Sequence, residues 1–311
     1  MICSRKNVLS LLLLLAIRAI PGWSGQAEQA VAPSPVEEAA QEAAGAEKAK
    51  SIDICSNQTI PAGYVITAWK STSACSTSRG SSANTVTITA WAGLTVLDAC
   101  ANQKIPAEFV IIGWRSSSAC SAVSSSSNTL TLKTHAGRDV MDICSNQTIP
   151  PGFAIITWRT SSACSAVRRD SNTLTIKSTA GRSTMDICAN QTIPPGFAII
   201  AWRTSNECSA VNRSSNTLSI KTYAGRGSMD ICANQTIPPG FVIIAWRTSN
   251  ECSAVNRSSN TLSIKSYADR GSIEICANQT VPPGYVITAR STSSACSAVS
   301  RTNNTLTIKK V

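Results

Sequence analysis

Cysteine is the residue type with the most chemistry to offer in this 311-residue chain, which has 13 of them and a single histidine, His135. Twelve fall into two interleaved series: Cys55, Cys100, Cys144, Cys188, Cys232 and Cys276, and then Cys75, Cys120, Cys164, Cys208, Cys252 and Cys296. Each member of the second series lies 20 residues after its partner in the first, and the pairs recur every 44 or 45 residues. Structural zinc needs short Cys-x-x-Cys knuckles or several histidines, and neither exists here. The spacing predicts disulfides instead: 55 with 75, 100 with 120, 144 with 164, 188 with 208, 232 with 252 and 276 with 296. The alternative joins each second cysteine to the first of the next unit, and it would strand Cys55 and Cys296. A bridge closing a loop of this size contributes about 3 kcal/mol in the chain-entropy model. Such bridges need an oxidising compartment.

Catalytic constellations are scarce. There is no Gly-x-Ser-x-Gly elbow, and His135 reads as a turn-side residue rather than a base. One acid precedes each first cysteine by two places: Asp53, Asp98, Asp142, Asp186, Asp230 and Glu274. A lone carboxylate per unit makes no general acid and base pair. Pairing with a nearby Arg or with turn backbone is its simpler role. No enzyme activity, cofactor or metal is expected.

Binding groups are better represented. An Asn-Gln pair recurs in every unit, including Asn190-Gln191 and Asn234-Gln235. These amides suit either the turn backbone before the prolines or, beside an aromatic ring, the hydroxyls of a sugar. The ring would be Trp202 or Trp246, or their counterparts Trp69, Trp114 and Trp158, each equally suited to packing between units. Arg290 replaces it in the sixth unit, as polar capping of a terminal repeat requires. Arg203 and Arg247 follow the tryptophans, as do Arg115 and Arg159, while Lys133, Lys177, Lys221, Lys265 and Lys309 close each unit. Periodic cations of this kind could form a stripe for an anionic polymer. Thr-x-Thr or Thr-x-Ser pairs, such as Thr261 and Ser263, would alternate with Leu262 and Ile264 and point outward with Lys protecting an edge. An exposed hydroxyl ladder is also a surface that ice or crystalline polysaccharide could use.

These residues must be positioned by a unit written six times. Between 186–226 and 230–270 only three positions differ: Ala198 against Val242, Thr222 against Ser266 and Gly225 against Asp269. Phe241 to Trp246 is a β-branched and aromatic run, expected as a strand buried on both faces. Pro239-Gly240 before it fits a type II turn, which Pro106-Ala107-Glu108 in the second unit interrupts. Thr261 to Lys265 reads as a half-exposed strand. A third strand, Ser228 to Ala233, would follow the turn at 224–227, with hairpins linking one unit to the next. The fold class is therefore all-β: a tandem array of six disulfide-stapled units of about 44 residues, stacked, closed or strung as beads. The repeats span 51–95, 96–139, 140–183, 184–227, 228–271 and 272–311.

Upstream, residues 1–27 have the parts of a secretory signal: Arg5 and Lys6, then an apolar run from Val8 to Ile17 that is too short to span a bilayer. Residues 28–50 form an Ala/Glu-rich linker with 5 acidic and 2 basic residues. From Ser51 onward there are 23 Lys and Arg against 12 Asp and Glu, so the net +11 lies wholly in the repeats. The expected protein is secreted or in the cell envelope, without a membrane span after signal cleavage. It is expected to be a non-enzymatic, multivalent binding or adhesion protein for a glycan or anionic surface polymer, with no nucleic-acid partner. The alternatives are a passive envelope spacer and a multi-headed inhibitor presenting one constrained loop per unit.

Overall fold

Each unit builds one three-stranded antiparallel sheet, and the same sheet appears six times. The structure is a computed structural model that describes residues 50–75 and 83–311. The expected signal and linker, up to residue 49, and residues 76–82 lie outside the described residues. In the fifth unit the strands are Ser228–Cys232, Phe241–Arg247 and Thr261–Ser266, with a 3-10 turn at Asn250–Cys252. The series begins with Ser51–Cys55 and closes with Thr305–Lys310. All six predicted disulfides are present at Cα separations of 5.4 to 5.5 Å.

The strand order corrects one expectation. The third strand in sequence is the centre of every sheet, flanked by the first and second. It is not half exposed: Thr261, Leu262, Ser263 and Ile264 are all buried. Nor do hairpins join the units. The turn after each third strand, closed in the fourth unit by the Arg226 amide on the Tyr223 carbonyl at 3.2 Å, delivers the chain to an edge strand of the next sheet. The outward hydroxyl ladder therefore does not exist. Alternating polar residues read as solvent-facing only when one face is open, and here both are covered.

The Pro-Gly turn is as expected. The Phe241 amide bonds the Pro238 carbonyl at 3.2 Å, and Gly240 has φ +85°, which a side chain would resist. In the second unit the Phe109 amide still reaches the Pro106 carbonyl at 3.0 Å, with Glu108 outside the left-handed region. The turn survives without glycine by changing type.

No unit encloses its own core. Ile231, Ile243, Leu262 and Ile264 of the fifth unit pack with Ala198 from the fourth and with Cys276 and Cys296 from the sixth. The same interleaving recurs along the chain, so each disulfide stacks on the sheet before it. The second strand of each unit packs on the first strand and 3-10 turn of its successor. Aromatic edges add to the seam, with Trp91 on Phe109, Tyr223 on Phe241 and Tyr267 on Tyr285 at 5.7 to 6.2 Å. The row is open. Ile52 at one end is 39% exposed, and Val286 and Ile287 at the other are 45% and 43% exposed.

A polar clasp fixes each junction. The second strand carries a bulge in every unit, shifting register between Ile199 and Ala201 in the fourth. Beside it, Gln235 of the next unit accepts from the Ile199 amide at 2.8 Å and donates to the Ile199 carbonyl at 2.7 Å. Its amide nitrogen also donates to its own Cys232 carbonyl at 2.9 Å. Gln103, Gln147, Gln191 and Gln279 do the same at the other junctions. Replacing Gln191 with Ala removes all three bonds and leaves the Ile155 amide and carbonyl without partners, a loss of about 2 kcal/mol. In dilute solution Gln58→Ala, at the exposed end, should cost nothing. Hydrogen exchange at Ile155 should quicken in Gln191→Ala and stay unchanged in Gln58→Ala; equal effects of the two changes contradict the clasp.

Candidate functional site

The chemistry-bearing side chains gather at the junctions between units. Between the second and third units lies a cleft of about 290 Å³ lined by Ile112, Lys133, Arg138, Val140, Met141, Asp142, Arg159 and Thr175. Between the fifth and sixth, a cleft of about 390 Å³ has Ile244, Lys265, Arg270, Ser272, Ile273 and Glu274 in the corresponding places. The pattern is one lysine from a central strand, one arginine from the inter-unit turn and one acid from the next first strand. It repeats in sequence as Lys177, Arg182 and Asp186, and as Lys221, Arg226 and Asp230.

Local structure holds each member. The turn arginines are anchored through Nε, which donates to the carbonyls of Thr134, Ser178, Thr222 and Ser266 at 2.6 to 3.3 Å. Arg182 also pairs with Asp139 through its terminal nitrogen. The acids are tied across strands to central hydroxyls: Asp142 to Thr175 at 2.6 Å, Asp186 to Ser219 at 2.5 Å and Asp230 to Ser263 at 2.6 Å. This is what the buried Thr and Ser positions do. Lys70 and Arg115 complete the group in the first two units by pairing with Asp53 and Asp98. The expected Arg pairing of the acids is met at Asp98 by Arg115, while Asp53 takes a lysine, and the hydroxyl partner was the part missed.

The sugar-site candidates fall differently. Asn190 and Asn234 are exposed, whereas Gln191 and Gln235 spend their amides on the preceding unit. Trp202 and Trp246 are half-buried against their cores, and their indole N–H groups are buried without a protein acceptor. Leaving such a donor unsatisfied costs about 1 to 3 kcal/mol, so ring packing must outweigh it. Arg203 and Arg247 are exposed; Arg203 bonds Ser219 at 2.9 Å and pairs with Glu251 of the next unit at 3.3 Å. Asn-Gln and Trp are thus not brought together as one open surface. His135 is half-buried, edge-on to Phe153 at 5.8 Å, where other units place Tyr223 and Tyr267. Among the described residues no cluster of three or more His, Cys, Asp or Glu could hold a metal.

One residue with a large structural role escaped sequence reasoning. Asn260 is 1% exposed; its Oδ1 accepts from the Ser249 amide at 2.9 Å, and its Nδ2 donates to the Ser249 and Asn256 carbonyls at 2.9 and 2.8 Å. Asn84, Asn128, Asn172, Asn216 and Asn304 are buried likewise at the same place. They knit the disulfide loop to the start of the central strand, and Ser249 caps the 3-10 turn ahead of Cys252. The available signal was an Asn-Thr step repeated in all six units.

No family model, curated protein or solved structure matches this chain.

The Thr87 hydroxyl, 2.7 Å from Asp53, and then Lys70 hold the Asp53 carboxyl below its ordinary range. A depressed carboxylate adds stability above its unfolded pKa of about 3.9, and that stability is lost as pH falls through the folded value. Because Asp53 is half exposed, the gain is small. Thr87→Val should raise the Asp53 pKa in a carboxyl NMR titration, and an unchanged value would show that Lys70 alone sets it.

Proposed function

We propose that this protein is an extracellular, non-enzymatic repeat protein that binds an anionic polymer, such as an acidic surface glycan, through its row of junction clefts. The observation that carries the reading is the recurrence of one cationic set, Lys177 with Arg182, Lys221 with Arg226 and Lys265 with Arg270, at three successive junctions of a stack. At the last two of these junctions two cations face one carboxylate that is already engaged by a hydroxyl, Asp230 by Ser263 and Glu274 by Ser291, whereas Arg182 also meets Asp139. The repeats as a whole carry the +11 of the chain. Export fits the six disulfides, which an oxidising compartment maintains. No helix among the described residues is long and apolar enough to cross a membrane.

A polyanion is favoured over a neutral sugar because the glutamine amides that would have held hydroxyls are consumed by the junctions. Multivalency supplies strength: sites that are weak singly act together when a polymer engages several at once. The spacer reading rests on the same rigid stack without the charge, and the inhibitor reading on the six constrained loops.

The test is binding to sulfated, carboxylated and neutral polysaccharides across a salt series. Affinity should be confined to the anionic polymers and fall steeply with salt. Arg159→Gln and Arg247→Gln, both at exposed side chains, should each weaken binding roughly twofold to fivefold, multiplying when combined. Absence of binding to any polyanion at low salt sinks this reading and leaves the spacer. Protease inhibition without polymer binding would select the inhibitor.

A further inference from the structure

The two ends of the stack carry the two halves of the junction that is made five times inside it. At the internal junctions, the valine or alanine at the second position of each unit's second strand inserts beneath the next unit and is 0 to 2% exposed, as Val65, Val110, Ala154, Ala198 and Val242. The isoleucine after it is 4 to 6% exposed beneath the next disulfide. In the sixth unit these residues are Val286 and Ile287, at 45% and 43%. At the other end Ile52 is 39% exposed, where Leu97, Met141 and Ile273 are 7 to 8%.

The polar halves are open as well. Gln58 is exposed, and its side-chain amide makes no hydrogen bond, whereas the five equivalent glutamines are all clasped. The Ile287 amide and carbonyl are the groups that a next glutamine would take, as Gln279 takes those of Ile243 at 2.7 Å. The sequence around Ile287 is no cap: residues 284–289 repeat residues 63–68 letter for letter, Gly-Tyr-Val-Ile-Thr-Ala. In the first unit that stretch lies beneath the second, with Thr67 bonding the Thr87 carbonyl at 3.3 Å as Thr288 bonds the Thr307 carbonyl at 3.2 Å. The sixth unit therefore holds a surface already known to accept a following unit.

We propose that copies of this chain associate head to tail, the first unit of one copy docking on the sixth unit of another to form a linear filament. Gln58 of one copy clasps the Ile287 backbone of its neighbour, and Val286 enters beside Ile52. The two surfaces differ, so the contact is heterologous and does not terminate by symmetry. Arg290, in place of the internal tryptophan, makes this junction weaker than the five internal ones and keeps assembly reversible. The assembly is independent of any polymer ligand.

The test is sedimentation equilibrium on the exported chain, in polymer-free buffer, up to about 1 mM, the weak limit of specific association. The mean mass should rise continuously with concentration through dimer, trimer and beyond. Ile52→Lys and Val286→Lys alter exposed side chains at opposite ends, and each variant alone should be monomeric with unchanged thermal unfolding. Mixed in equal amounts they retain one good end of each kind, and should form a heterodimer that grows no further. A wild-type chain that stays monomeric throughout overturns the proposal. So does a dimer that neither variant disrupts, or a mixture that remains monomeric.

Discussion

A unit of some 44 residues cannot cover both faces of its own sheet, and everything else in the molecule follows from this deficit. Each core between the two ends is closed by a residue lent from the unit before and a disulfide lent from the unit after. The bridge thus has two roles: it ties its own loop, and it serves as apolar mass on a neighbour's sheet. Cys276 and Cys296 are 0% and 1% exposed within a cluster made mostly by the fifth unit, with Ala198 from the fourth. The glutamine clasp answers the polar side of the same deficit. Beside the bulge of this edge strand, the Ile243 amide and carbonyl are taken by Gln279 of the following unit.

Much of this architecture was legible because its signals are covalent or local. A fixed 20-residue separation points to one pairing, and a Pro-Gly step before six β-formers marks a turn and a strand. The strand order was not legible. Thr261 and Ser263 look solvent-facing in sequence, because an alternating pattern cannot reveal that a second layer covers the polar face. The partner of Ser263, Asp230, lies 33 residues away. The role of Gln235 was hidden for the same reason: Ile199 is 36 residues earlier and in another unit. Repetition showed that these residues mattered, and only the packing showed to what.

The candidate site was half visible. The strand arginines and central-strand lysines stand out as periodic charge, whereas the turn arginines looked like turn residues. Folding unites them because the turn that carries Arg138 hands the chain from Lys133 on one sheet to Asp142 on the next. The cleft is thus a by-product of the junction, and it is seen between the second and third units and again between the fifth and sixth. Duplicating a unit duplicates a core contact and a charged cleft together. That is why the fourth and fifth units can be nearly identical without redesign elsewhere: their one core difference, Ala198 against Val242, falls at the residue lent to the next unit.

The same coupling bears on affinity. On a flexible string of beads, linker length sets the effective concentration of a second site and wastes much of the gain. Here the disulfide seam, the clasp and the shared cores fix one unit relative to the next, so under the proposed function little linker freedom is lost when a polymer bridges the clefts. The remaining cost is borne by the polymer, whose charges must meet the repeat spacing. A stiff polyanion with a matching period then gains most, and a short or flexible one gains little. Selectivity in such an array comes from spacing held constant by packing, and no single cleft needs to be specific on its own.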